Sequence, residues 1–267
     1  MTRKRKPPGT ILDHGDRYQP AIQAHDIRSP HSKRTRIWGV KTHRFHHLLS
    51  QLECSVYFQA ERDGRVKDIQ EQCELNRDET VMIAARLGYR HPAGQHAMTS
   101  DFIITVVAHD GSTRQIAIHV KHASKLSRNM EWINVEAYYW SAMGIPLYVI
   151  TELDIEAEVI HNGQWLYFVN TAEFDRLSAL PNFGEIVSSL TAYVTSGRKL
   201  SMACEQAERD YGLPPNSGLL MAKVLIRERG WVTDLSVRIR LGRPLVLLED
   251  RTQEWLKEVT NRETATA

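Results

Sequence analysis

The chain predicts an α/β fold: a mixed sheet flanked by helices over roughly the first 170 residues, then a mainly helical C-terminal part. Three observations predict it. Short apolar runs alternate with stretches of helical periodicity through the first part. Asp110-Gly111 separates two alternating apolar runs, the mark of a hairpin. From about residue 171 the strand signals give way to helical ones. The 267 residues are enough for one large or two small domains.

The elements follow in order. Ser50 opens a helix, "SQLECSVYFQAERDG", with Leu52, Val56 and Tyr57 at helical spacing and Gly64 behind it. "RVKDIQEQCEL" reads as a strand and "TVMIAARLGY" as a short helix or turn. Strands follow at about 102–108 and 114–121, then a helix, "EWINVEAYYWSAMG", closed by Gly144. "IPLYVITEL" is a buried strand, and "HNGQWLYFV" reads as another after an Asn-Gly turn. Beyond 171, "SMACEQAERDYGL", "NSGLLMAKVLIRERG" and "WVTDLSVRIRLGRPLVLLE" give two helices and a hairpin, a winged-helix-like α(+β) pattern. The expected division is a basic arm at 1–48, a catalytic domain at 49–170 and a C-terminal domain at 171–267.

Composition excludes several classes. No apolar run approaches the roughly 20 residues of a membrane span, and no apolar segment follows the basic N-terminus, so neither a membrane protein nor a secretory signal is expected. Cys54, Cys73 and Cys204 are odd in number and far apart, which points to a reducing, cytoplasmic setting. The net charge of +2 hides an asymmetry. Residues 1–50 hold 11 Lys and Arg against 3 acids, and residues 51–170 hold 10 against 16. Arg3-Lys4-Arg5-Lys6, followed by Pro7-Pro8, fits a solvated tail. Arg34, Arg36 and Arg44, interleaved with Trp38 and Phe45, suit contact with phosphate, of the kind that double-stranded DNA would offer.

The chemistry gathers around the hairpin. Phe102, Ile104 and Val106 share one face, and Ile116, Ile118 and Val120 share another. A three-residue loop, Asp110-Gly111-Ser112, brings these faces together and sets Asp101 opposite Lys121, with His119 on the same side. Such a pair is either a surface ion pair or part of a site in which Lys121 orients a nucleophile or stabilises developing charge. Glu53 also has two readings. It completes a capping box with Ser50, or it projects as a metal ligand beside Asp101. Two carboxylates and a lysine suit phosphodiester hydrolysis, in which Mg²⁺ polarises the phosphate and activates water. Asp68 and Glu71 read as solvated strand residues. Glu136 reads as support for the site or as an ordinary helix-face acid.

Glu53, Asp101 and Lys121 together resemble the motif of PD-(D/E)xK, restriction-endonuclease-like nucleases. "HHLLSQLE", "VKDIQEQCEL", "MTSDFII", "HVKHASKLSRNMEWINVEAYYW" and "GIPLYVITE" are similar to TnsA-like endonuclease subunits of heteromeric cut-and-paste transposases. The resemblance covers residues 15–155. It implies a restriction-endonuclease-like sheet, catalytic Glu53, Asp101 and Lys121, and Mg²⁺ (or Mn²⁺) held by Glu53 and Asp101. It also implies cleavage of the 5′ strands at transposon ends, a DDE transposase subunit and an AAA+ ATPase regulator as partners, and a bacterial, nucleoid-associated setting. The family has Gln or Glu where this chain has His119. Imidazole suits Mg²⁺ poorly, so His119 contacts water or phosphate, or else the metal preference is shifted. Two alternatives stay open: a stand-alone restriction or repair nuclease, and a non-catalytic DNA-binding adaptor.

Overall fold

The structure is a computed structural model that describes residues 13–26, 34–167 and 169–266. The basic run at residues 3–6 lies outside the described residues. Backbone contacts divide the chain into two units, one ending at Glu156 and the other starting at Ala157.

The first unit opens with an antiparallel hairpin, β1 (Thr35–Gly39) and β2 (Arg44–Leu48). Helix α1 (Gln51–Arg62) follows, then β3 (Val66–Glu74), α2 (Arg77–Arg86), β4 (Thr99–Val107), β5 (Thr113–Val120), α3 (Met130–Ala142) and β6 (Leu147–Ile150). The sheet order is β3-β4-β5-β6. The first three strands are antiparallel, and β6 lies parallel to β5, which requires the crossover that α3 supplies. Cys73, Leu75, Ile103 and Ala117 of the sheet pack against Val135, Tyr139 and Trp140 of α3 and Ala84 of α2. This mixed α/β sheet flanked by helices is the architecture the sequence predicts.

The β4–β5 register departs from the sequence reading. Phe102 pairs with Ile118, so Asp101 lies level with His119 and not with Lys121. The cause is a longer turn. Ala108 N–H donates to Ser112 O at 2.8 Å, and the Asp110 carboxylate takes both the amide and the hydroxyl of Ser112. The loop therefore spans residues 108–112 instead of three. The shift is two residues, so every side chain keeps its face.

The basic stretch is also not an appendage where it is described. Tyr18 is buried and its hydroxyl donates to Glu71 O at 3.0 Å, and the β1–β2 hairpin carries buried Ile37, His46 and Leu48. At the end of β1 a Cβ on Gly39 would lie 2.5 Å from both His46 Nε2 and Thr42 Oγ1, so only glycine fits there.

The second unit holds α4 (Ala157–Tyr167), α5 (Thr171–Ser178), α6 (Phe183–Thr195), α7 (Leu200–Tyr211) and α8 (Ser217–Arg227). A two-residue antiparallel pair, β7 (Trp231–Val232) with β8 (Glu249–Asp250), precedes α9 (Thr252–Thr266). The "HNGQWLYFV" strand is a correction: those residues continue α4. Asn162 makes no turn. It is fully buried, and its amide donates to Leu235 O and Val237 O and accepts from Ile239 N–H. No described helix is long and apolar enough to cross a membrane.

Candidate active site

Each residue of the expected site is placed by a local rule. Ser50 caps α1, its hydroxyl accepting from Glu53 N–H at 3.1 Å. That puts Glu53 in the first turn, where its side chain bends back and Oε2 accepts from Leu49 N–H at 2.9 Å. The expected capping box is therefore half formed, with the return bond going to Leu49 and not Ser50. Asp101 starts the inner part of β4, and its Oδ2 accepts from Val120 N–H at 2.6 Å. It thus closes an amide at the end of the β4–β5 ladder. Lys121 follows β5 directly and is pinned by its own N–H, which donates to Ile150 O of β6 at 3.0 Å.

Gln72 joins the two acids. Its side-chain nitrogen stands 3.4 Å from Glu53 Oε2 and 3.4 Å from Asp101 Oδ1. The structure thus brings Glu53 and Asp101 together through one amide. The Lys121 charge is felt at the same spot, where it opposes in small part the net upward shifts of Glu53 and His119.

His119 and Glu136 form a chain that reaches into the core. Trp140 Nε1 can only donate, and it donates to Ser100 Oγ at 2.7 Å. Ser100 then donates to Glu136 Oε1 at 2.5 Å, and Glu136 Oε2 accepts from His119 Nδ1 at 2.8 Å. Glu136 is fully buried behind His119 and is not an exposed helix-face acid. His119 is 3% exposed, and its Nε2 is buried with no partner among the described residues. Burial alone would lower the His119 pKa, but the Glu136 bond and the nearby Asp101 carboxylate leave it raised.

The arginines proposed for DNA divide. Arg36 is exposed, its guanidinium 4.3 Å from the centre of the Phe45 ring, and Arg34 is half-buried beside the hairpin. Arg44 is a correction. It is buried and grips Glu71 with two bonds of 2.9 and 2.6 Å. Glu71, fully buried and not solvated, also accepts from His46 Nδ1 and His47 N–H. Burial would raise the Glu71 pKa, but Arg44 and His46 drive it far below the usual carboxylate range. Arg44 therefore holds the core, with no free face for a phosphate. Sequence reasoning missed Gln72 and Ser100, whose importance lies in where the backbone sends them.

The two carboxylates fit a hard divalent cation. Glu53 is pushed up to about 8, chiefly by burial and then by the Asp101 charge. A cation beside both would relieve that repulsion. Among the described residues no group of three or more His, Cys, Asp or Glu is arranged to hold a metal. An ion here would take two protein carboxylates and fill its shell with water and substrate phosphate, the usual way Mg²⁺ is held.

The raised Glu53 pKa has a testable sign. Between about pH 4.5 and 8 the folded state holds the Glu53 proton and the unfolded state loses it, so stability without metal falls as pH rises across that window and levels off above 8. The limit is about 1.4 kcal/mol per pH unit. Urea unfolding of wild type and Glu53→Gln across that range isolates the effect, because the Gln variant lacks the titrating group. Parallel curves for the two proteins would contradict it.

Residues 63–152, from just after α1 to just past the end of β6, match a family model described as TnsA-like endonuclease N terminal. This segment contains Gln72, Asp101, His119, Lys121 and Glu136, while Glu53 lies just before it. The chain is similar to the transposon Tn7 transposition protein TnsA of Escherichia coli, with 37% identity over 166 residues. That match covers 60% of this chain and 59% of the relative, so the chain spans under two thirds of the relative's length.

Proposed function

We propose that the protein is a metal-dependent DNA endonuclease that cuts the 5′ strands at transposon ends. The observation that carries this reading is the meeting of Glu53 and Asp101 on one amide, within reach of the Lys121 charge, at the edge of a TnsA-like domain. Glu53 and Asp101 would hold Mg²⁺ or Mn²⁺. Bound there, the ion would polarise the phosphodiester and acidify water. Lys121 offsets charge that develops on the phosphate. His119 gives Nδ1 to Glu136, and its buried Nε2, without a partner among the described residues, suits one enclosed water.

The catalytic segment has little electrostatic hold on DNA of its own, because residues 51–170 carry 10 basic against 16 acidic groups. We therefore read the protein as one subunit of an assembly with a DDE transposase and an AAA+ regulator. Residues 171–267 carry 13 charges of each sign, so this winged-helix-like part suits protein docking as well as phosphate.

The test is nicking of a 5′-labelled transposon end. Mg²⁺ and Mn²⁺ are expected to support cutting, and Ca²⁺ and chelator are not. The lone chain should cut poorly, and adding the two partners should raise the rate at least about tenfold. Full cutting in chelator would overturn the metal mechanism. Strong sequence-specific cutting by the lone chain would favour a stand-alone restriction enzyme.

A further inference from the structure

Gln72 lies within β3, two residues from its end, yet its backbone φ is +50°. Side chains other than glycine rarely adopt that conformation, and within a strand it interrupts the regular alternation of faces. The residues around it keep one register with β4: Glu71 pairs with Phe102 and Cys73 with Ser100. The departure is thus confined to one residue, the one level with Asp101. Strain of this kind persists where the surroundings enforce it, and it gathers at functional sites.

The side chain shows what the strain achieves. Gln72 is 2% exposed, and its amide lies between two carboxylates. Its orientation is fixed chemically. Thr99 Oγ1 donates to Gln72 Oε1 at 3.2 Å, which turns the NH₂ group toward Glu53 and Asp101. The flipped amide would set its carbonyl oxygen against the Asp101 carboxylate and remove the N–H donors from both acids. Both N–H contacts are 3.4 Å, at the long limit for a hydrogen bond. Such bonds separate the acids without neutralising them. Glu53 Oε2 is tied to Leu49 and Asp101 Oδ2 to Val120, so each acid has one backbone anchor and one contact with the same amide.

We propose that Gln72 is a positioning residue: its amide holds Glu53 and Asp101 toward one spot, where the two acids would share a divalent cation, and the left-handed backbone at position 72 aims it there. This rests on the metal reading above and adds a residue to it. Gln72 contacts no substrate and acts only through the two acids.

The test uses the full chain and Mn²⁺ alone, with free Mn²⁺ followed by electron paramagnetic resonance and thermal unfolding followed without metal. Gln72→Asn suits the left-handed backbone better than Gln, but its amide is one methylene too short to span both acids. Gln72→Gly removes the backbone strain and the amide together. Both variants are expected to keep a cooperative unfolding transition and to bind Mn²⁺ about tenfold more weakly than wild type, in the range found when partners that orient metal ligands are lost. A purely structural Gln72 would change the melting temperature and leave Mn²⁺ affinity alone. Wild-type affinity in both variants would overturn the proposal while sparing the metal reading. Loss of cooperative unfolding in both would assign Gln72 to the core and also overturn it. No Mn²⁺ binding by wild type, with Asp101→Ala as the baseline, would overturn the metal reading and this proposal with it.

Discussion

Asp101→Asn is expected to fold like wild type and to lose DNA cleavage by about a thousandfold or more. Asn keeps an oxygen for Val120 N–H, which Asp101 accepts at 2.6 Å, while removing the charge a cation needs. Losing one anionic ligand removes several kcal/mol of transition-state stabilisation, and each 1.4 kcal/mol is about tenfold in rate. Asp101→Ala is the poorer probe, because it also orphans the Val120 amide at a cost of about 1–3 kcal/mol. Glu53→Gln should behave like Asp101→Asn, since Gln still accepts from Leu49 N–H. Circular dichroism with 5′-strand nicking checks both. Cutting within tenfold of wild type by either variant would dismiss the assignment, and so would an unfolded Asn variant.

Arg44→Ala is expected to cost about 3–5 kcal/mol of stability. Both partners of the Arg44–Glu71 pair are buried, and removing the guanidinium leaves a carboxylate with no cation in the interior. Arg44 also donates to Ile69 O at 2.7 Å and stacks 4.9 Å from the centre of the Tyr18 ring, so the hairpin loosens from β3 with it. Adding Glu71→Gln should return part of the loss, because the stranded charge then disappears. Urea unfolding of the single and double variants measures this. The competing view of Arg44 as a DNA contact makes a different forecast: normal stability, weaker binding and a shallower salt dependence.

These two predictions also show what sequence can carry. The common side of Asp101, His119 and Lys121 was legible because apolar alternation fixes which side of a strand a residue faces, and parity survives a two-residue slip in the turn, while the place of Glu53 in the first turn of α1 was legible from the Ser50 cap. The slip itself was not legible. Asp110-Gly111 looks the same in a three- or five-residue loop, and the Ala108–Ser112 bond that decides between them is a property of the folded turn. Arg44 and Glu71 were misplaced because charged residues are almost always exposed, and only a partner from a distant strand reverses that. Gln72 was hidden for another reason, since its role depends on a φ that no residue pattern announces. The "HNGQW" segment failed by local resemblance: an Asn-Gly pair signals a turn unless its Asn is needed elsewhere, and Asn162 is needed by residues 235, 237 and 239.

The bond from Leu49 to Glu53 has a consequence for how this site can evolve. One oxygen of Glu53 is committed to the start of α1, so a single side chain answers to two selective pressures at once. Aspartate is shorter than glutamate by one methylene and cannot serve both ends. A lineage that drifted to Asp at position 53 would have to surrender either the helix start or the ligand. The position is therefore closed to gradual change, whereas His119, which reaches its anchor through Glu136, can be replaced wherever the pair is replaced together.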